Sequence, residues 1–181
     1  PYMDCALKIK QQHAPAPERI KEVVCRTAEG PVHRLWEPLA DKQKPIGAYG
    51  AKFSLPYSIA VMLVHGRAGL EEFTDAAIHD AEVLRLAAKV RYELDATIDY
   101  PRHFSGHVKV FLDDGTLLEE NQPHPRGGYE DPLPPSDIEA KFRANAKLAL
   151  PLERVERVLD AVQHLERLPL TRELSDLLIK P

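Results

Sequence analysis

A chain of 181 residues, 44% hydrophobic and 29% charged, is long enough for a real core and too apolar to stay disordered. Its net charge of −4 comes from basic and acidic residues mixed along the chain, which excludes an electrostatic footprint for nucleic acid. No apolar run approaches the ~20 residues that a membrane-crossing helix needs, so no membrane partner is expected.

The chain opens on Pro1, already in a helical pattern, and reads as a piece whose N-terminal portion is absent. Met3, Ala6, Leu7 and Lys10 have helical spacing over Tyr2–Gln12, and "HAPAP" stops the helix because proline cannot continue it. "RIKEVVCRTA" is β-branched and partly alternating, a strand over Arg19–Ala28. Three prolines and three glycines between Gly30 and Gly50 predict a long irregular loop. Leu55–His65 is an apolar helix with Ser54 as its cap, Pro56 in its first turn and Gly66 at its C-terminus. "GLEEFTD" gives a short turn of helix, and "DAEVLRLAAKV" reads as another, with Asp80 as its candidate cap.

Val90, Tyr92, Leu94, Ala96 and Ile98 alternate along a half-buried strand. "HVKVFLDDGTLLEE" is a hairpin turning at Asp114-Gly115. A second Pro/Gly-rich loop leads to a helix from Ser136 to Ala149, where Ser136 and Glu139 have capping-box spacing. Pro151 opens a further helix to about Arg167, and Thr171 is the expected cap of the last one. The expected fold is α+β: a two-layer sandwich with a small, mainly antiparallel sheet of 3–4 strands, including the hairpin, packed by helices. Contiguous strands and runs of helix argue against alternating βαβ units, and residues 1–181 are read as a single domain.

Among possible sites, "AKFSLPYSIAVML" stands out. Lys52, Ser54 and Tyr57 gather at the start of a core helix, directly after a long loop. Ser54 is explained by capping alone, but free N–H groups beside a lysine also make a receptor for a carboxylate or phosphate. The Tyr57 phenol can donate or accept a proton at a reacting oxygen. Elsewhere the bland readings hold. His103 and His107 straddle a turn, so their four-residue spacing does not make a metal site. The pairs Asp113-Asp114 and Glu119-Glu120 point to opposite strand faces. "HPRGGYEDP" lacks the Lys-Ser/Thr of a phosphate loop and reads as a structural crossover, with Arg126 a candidate to reach an anion. Cys5 and Cys25 form no CxxC pair and read as buried thiols in a reducing cytoplasm.

Several segments in order resemble the second domain of the MmgE/PrpD family, the 2-methylcitrate dehydratase-like proteins. These are "PYMDCALKIK", "AKFSLPYSIAVMLVHG", "VKVFLDDGTLLEE" and "PRGGYEDPLPPSDIEAKF", covering Pro1 to about Leu150. The resemblance implies the smaller α+β domain of a lyase, without the all-helical domain that completes the family's site. It implies action on a small polycarboxylate in propionate metabolism, by 2-methylcitrate dehydratase-like dehydration or hydration. An isomerase or epimerase, a cis-aconitate decarboxylase and a non-catalytic association module are the alternatives. Tyr57 matches the family's active-site tyrosine and is the implied catalytic group; Lys52 and Ser54 match its polar neighbours and are the implied substrate-binding residues. No cofactor and no metal are expected. The expected partners are the substrate, the missing N-terminal helical domain and a second copy in a full-length homodimer, in the cytoplasm, with this piece inactive alone.

Overall fold

The computed structural model describes residues 1–179. Backbone contacts divide the chain into two compact units, Pro1–Pro132 and Leu133–Pro181. The first holds a four-stranded sheet, the second three helices. The α+β class is as the sequence predicts.

In the first unit, β1 (Ile20–Thr27), β2 (Val90–Leu94), β3 (Gly106–Leu112) and β4 (Leu117–Gln122) lie in the order β2-β1-β3-β4. Three of these strands form an antiparallel meander in space, β1 against β3 and β3 against β4. The hairpin turns at Gly115, whose φ of 88° suits a residue without Cβ. Val23, Cys25, Val90, Val108, Val110 and Leu118 are buried, giving the sheet one apolar face. Arg91 lies between Glu22 and Glu93, and Glu119 between His107 and Lys109, so charge is paired along the strands' other face.

Helices α1 (Tyr2–His13) and α5 (Leu55–His65) complete the second layer. Cys5, Ala6 and Ile9 of α1 join Ile59, Ala60 and Leu63 of α5 in the same core as the sheet. Both thiols are buried and free, and burial pushes the Cys5 thiol up to about 11. Among the described residues, no helix is long and apolar enough to cross a membrane.

The sheet is mainly antiparallel, as expected, with one parallel pair, β1 and β2. Sixty-odd residues of mainly helical chain separate them, which returns β2 in the direction of β1. Period-two alternation records which face a side chain takes, not which way its strand runs, so the pairing was invisible in the pattern. β2 also ends early, at Leu94. The Asp95 carboxylate accepts hydrogen bonds from the Thr97 amide and hydroxyl and meets Arg26 at 2.5 Å, turning the chain before Ala96 and Ile98.

The loop expected between Gly30 and Gly50 instead contains α2 (Val32–Leu35), α3 (Leu39–Gln43) and α4 (Ala48–Ala51). Trp36, fully buried, anchors them between the rings of Tyr2 and Tyr92 at 5.7 and 5.3 Å. The expected short helix at "GLEEFTD" is a single 3₁₀ turn, Glu71–Phe73, and α6 (Ala81–Ala87) starts at the Asp80 cap, whose Oδ1 accepts from the Glu82 and Val83 amides.

In the second unit, α7 (Pro135–Ala146), α8 (Leu152–Gln163) and α9 (Thr171–Leu178) follow one another. The capping box does not form, because α7 begins one residue before Ser136 with Pro135 in its first turn. Glu139 turns along the helix to Arg143 and across to Gln163. Thr171 likewise sits inside its helix, with Leu170 at the cap position.

Candidate functional site

A cavity of about 570 Å³ opens in the first unit, beyond the carboxyl ends of the parallel strands β1 and β2. That is where open sheets with parallel strands place their ligands, because the chain leaves the strands there in separate directions and opens a crevice. Its size falls in the ~300–1,000 Å³ range of ligand pockets. Three segments build most of its wall: α2, the junction of α4 and α5, and the loop from Asp95 to Ser105.

The charge on that wall has one sign. His33 and Arg34 come from α2, Lys52 from the α4–α5 junction and His103 from the loop, and no aspartate or glutamate lines the cavity. All four basic residues are exposed to solvent within it. Arg34 stacks its guanidinium over the Phe53 ring at 5.1 Å, which fixes the cation at the cavity wall. Cations gathered without a counter-charge attract an anion, and two or more carboxylates on one molecule satisfy more of them than one does.

Lys42 holds two walls together from behind. Its ammonium donates to the backbone carbonyls of Arg34 (2.6 Å) and Phe53 (2.8 Å), so α2 and the α4–α5 junction cannot separate freely. Ser54 takes part in the same clamp. Its hydroxyl donates to the Lys42 carbonyl and accepts from the Tyr57 amide at 3.0 Å, capping α5. Ser54 is buried, so it positions Lys52 rather than facing the cavity itself.

Tyr57 lies elsewhere. Its hydroxyl donates toward the carbonyls of Glu72 (3.0 Å) and Ala77 (3.2 Å), on the side of α5 away from Lys52. Burial, with the Asp80 and Glu72 charges nearby, pushes its phenol up to about 12. There it lines a smaller cavity of about 160 Å³ with His65, Arg67, Glu72 and Asp80. Thus Lys52 faces the large cavity, Ser54 supports it, and Tyr57 faces the small one.

Arg34, His33 and His103 were not singled out from sequence as ligand groups. The available signal for Arg34 was Val32, Leu35 and Trp36 at helical spacing, which marks a short helix in place of the loop. Nothing local marks His103, which meets the others only through the turn at Asp95. Arg126 does not line this cavity. Among the described residues, no group of three or more histidine, cysteine or carboxylate side chains is placed to hold a metal ion.

Comparison with known proteins agrees with the family resemblance. The model of the MmgE/PrpD C-terminal domain matches residues 1–167. The chain is 31% identical to human cis-aconitate decarboxylase over 140 residues, 76% of this chain and 29% of that protein. It is 28% identical over 147 residues to a cis-aconitate decarboxylase-like protein of Aspergillus oryzae, 81% of this chain and 29% of that one. A mitochondrial 2-methylcitrate dehydratase of Yarrowia lipolytica is 26% identical over 133 residues, 68% of this chain and 25% of that protein. The chain therefore spans about three tenths or less of the length of these relatives.

Proposed function

The chain belongs to the MmgE/PrpD family, and from that membership we propose that it is the carboxylate-holding part of a lyase for small polycarboxylates. The observation that carries the reading is the cavity lined by Arg34, Lys52, His33 and His103 and by no acidic residue. Dehydration takes a proton from a carbon next to a carboxylate and expels the neighbouring hydroxyl as water. Decarboxylation breaks the bond to a carboxylate, releases carbon dioxide and adds a proton to the carbon left behind. Both build negative charge on a carbon conjugated to a carboxylate, and fixed cations nearby lower the cost of that charge.

In this reading Lys52 and Arg34 hold carboxylates and Ser54 fixes the turn that presents Lys52. Tyr57 serves as proton donor only if its two backbone acceptors release it, since its hydroxyl sits on the other side of α5. Dehydratase and decarboxylase are equal alternatives here, because relatives bearing both names match the chain. The remaining groups that complete the reaction are assigned to the rest of a longer protein.

The test is turnover by the full-length protein of 2-methylcitrate and of cis-aconitate, followed by loss of water or release of carbon dioxide. Arg34→Gln and Lys52→Gln each raise KM about tenfold or more, as expected for a lost charge-assisted hydrogen bond. If both variants keep the parent KM on every polycarboxylate turned over, the cavity is not the carboxylate site.

A further inference from the structure

Arg34 and Lys52 reach the cavity from segments too short to hold their own positions. α2 and α4 have four residues each, and helices of that length do not persist without tertiary ties. Lys42 supplies the tie. It stands on α3, outside the cavity lining, and its ammonium spans the Arg34 and Phe53 carbonyls. Arg34 and Phe53 are thereby joined twice, at the backbone through Lys42 and by the guanidinium over the ring at 5.1 Å. Phe53 directly follows Lys52, so the same ammonium fixes the backbone beside the second cation.

The support for Lys42 reaches back to the sheet. The Gln43 amide donates to the Val90 carbonyl of β2 at 2.9 Å. The Glu37 carboxylate accepts from the Leu39 amide at 2.8 Å and from the Tyr92 hydroxyl of β2 at 2.7 Å. Hydrogen bonds therefore run from β2 through α3 and Lys42 to the backbone of both cation-bearing walls.

We propose that Lys42 is a positioning residue: it sets the separation of Arg34 and Lys52, and through it the spacing of the two carboxylates this cavity accepts. This rests on the carboxylate reading above and adds what makes the site selective. A diacid that matches a fixed spacing makes both charge-assisted contacts without moving either wall. One that is too short or too long makes a single contact or pulls the walls out of place, and an error of about 1 Å is costly.

The experiment titrates the full chain by calorimetry with malonate, succinate, glutarate and adipate, which lengthen by one methylene at each step. The parent chain is expected to bind one of these at least about fivefold more tightly than any other. Lys42→Met keeps the aliphatic stem and removes the donor. It weakens the preferred diacid about tenfold and narrows the preference to less than about twofold, because loosened walls adjust to every length. Lys42→Arg, which still reaches two acceptors, restores a preference of at least about fivefold. Arg34→Gln costs about tenfold in the parent and less than about threefold in the Lys42→Met background, since the two changes remove one arrangement.

A parent chain that binds the diacids without preference overturns the inference and leaves the carboxylate reading standing. The same holds if Lys42→Met keeps the parent affinities and their order. Where Lys42→Met shows no cooperative unfolding, Lys42→Gln replaces it, and an unchanged order in that variant overturns the inference equally. A chain that binds none of the diacids overturns the carboxylate reading together with the inference.

Discussion

At the scale of single residues, α5 separates two jobs that its sequence places side by side. Ser54 is spent on backbone groups, capping α5 and holding the Lys42 carbonyl, while Lys52, two positions earlier, is free to face the cavity. Tyr57 bonds two carbonyls of the segment between α5 and α6. Tyr57→Phe removes that donor and is expected to cost about 1–3 kcal/mol of stability, measured by denaturant unfolding, because the buried Glu72 carbonyl and the part-buried Ala77 carbonyl lose their partner. A kcat fall of more than tenfold in full-length protein with stability unchanged would instead return Tyr57 to the chemistry.

Glu72 works on the same segment. Burial disfavours its charge, yet hydrogen bonds from Arg67 at 2.5 Å and from the Gly69 amide at 2.8 Å outweigh burial and hold its carboxyl below the usual range. A depressed folded-state pKa contributes stability above the ordinary carboxylate range, and that contribution disappears as pH falls through the folded value. Glu72→Gln is therefore expected to lower stability near neutral pH and to flatten its fall in acid. Parallel stability profiles for the two proteins from neutral pH to acid would assign the acid sensitivity to other carboxylates.

Among the elements, what sequence made legible was whatever is decided within a few neighbouring residues. The Ser54 and Asp80 caps, the αL glycine at Gly66 and the Asp114-Gly115 turn all depend on local backbone geometry, and each forms as read. Ser136 and Thr171 carried equally good local signals and lost to the neighbouring Pro135 and to a helix start one residue earlier. The parallel β1–β2 pairing and the gathering of His33, Arg34, Lys52 and His103 depend on chain returning from far away, so no window of sequence contains them. Lys52 was legible as a candidate because it stands beside a visible helix start, whereas Arg34, which lines the same cavity, was hidden in a segment whose prolines masked three short helices.

One close approach between elements is visible only in three dimensions. At Gly106, the first residue of β3, a Cβ would lie 2.6 Å from the Pro1 carbonyl carbon and 2.7 Å from the Tyr2 nitrogen. Backbone at that distance cannot give way as a flexible side chain does, so α1 must move off the sheet. The Cys5 thiol also bonds the Gly106 carbonyl, at 3.4 Å, so the contact reaches into the core. Gly106→Ala is expected to destabilise the chain by about 1–3 kcal/mol and to change Trp36 emission, since Tyr2 packs edge-on against Trp36. A variant with the parent unfolding midpoint would mean that α1 has slack on β3.

For the whole molecule, the decisive fact is where the apolar core lies. Every residue of the main core cluster falls between Tyr2 and Leu118, in the first unit. In the second unit, Val155, Val158 and Ala161 of α8 are the buried hydrophobic residues among those described. Exposed Leu152, Val162, Leu165, Leu170 and Leu178 leave its helices little apolar area removed from water, and short helices in water need such burial to persist. Residues 1–132 alone are therefore expected to fold cooperatively, with a single transition and the blue-shifted emission of a buried Trp36. A peptide of residues 133–181 is expected to show low helicity by circular dichroism under the same conditions. All the residues that line the large cavity belong to the first unit, so the fragment 1–132 should also keep the affinity of the full chain for a dicarboxylate. Collapse of residues 1–132 into an aggregate, with Trp36 emitting as in water, would show that the main core does not suffice and that α7, α8 and α9 contribute to its stability.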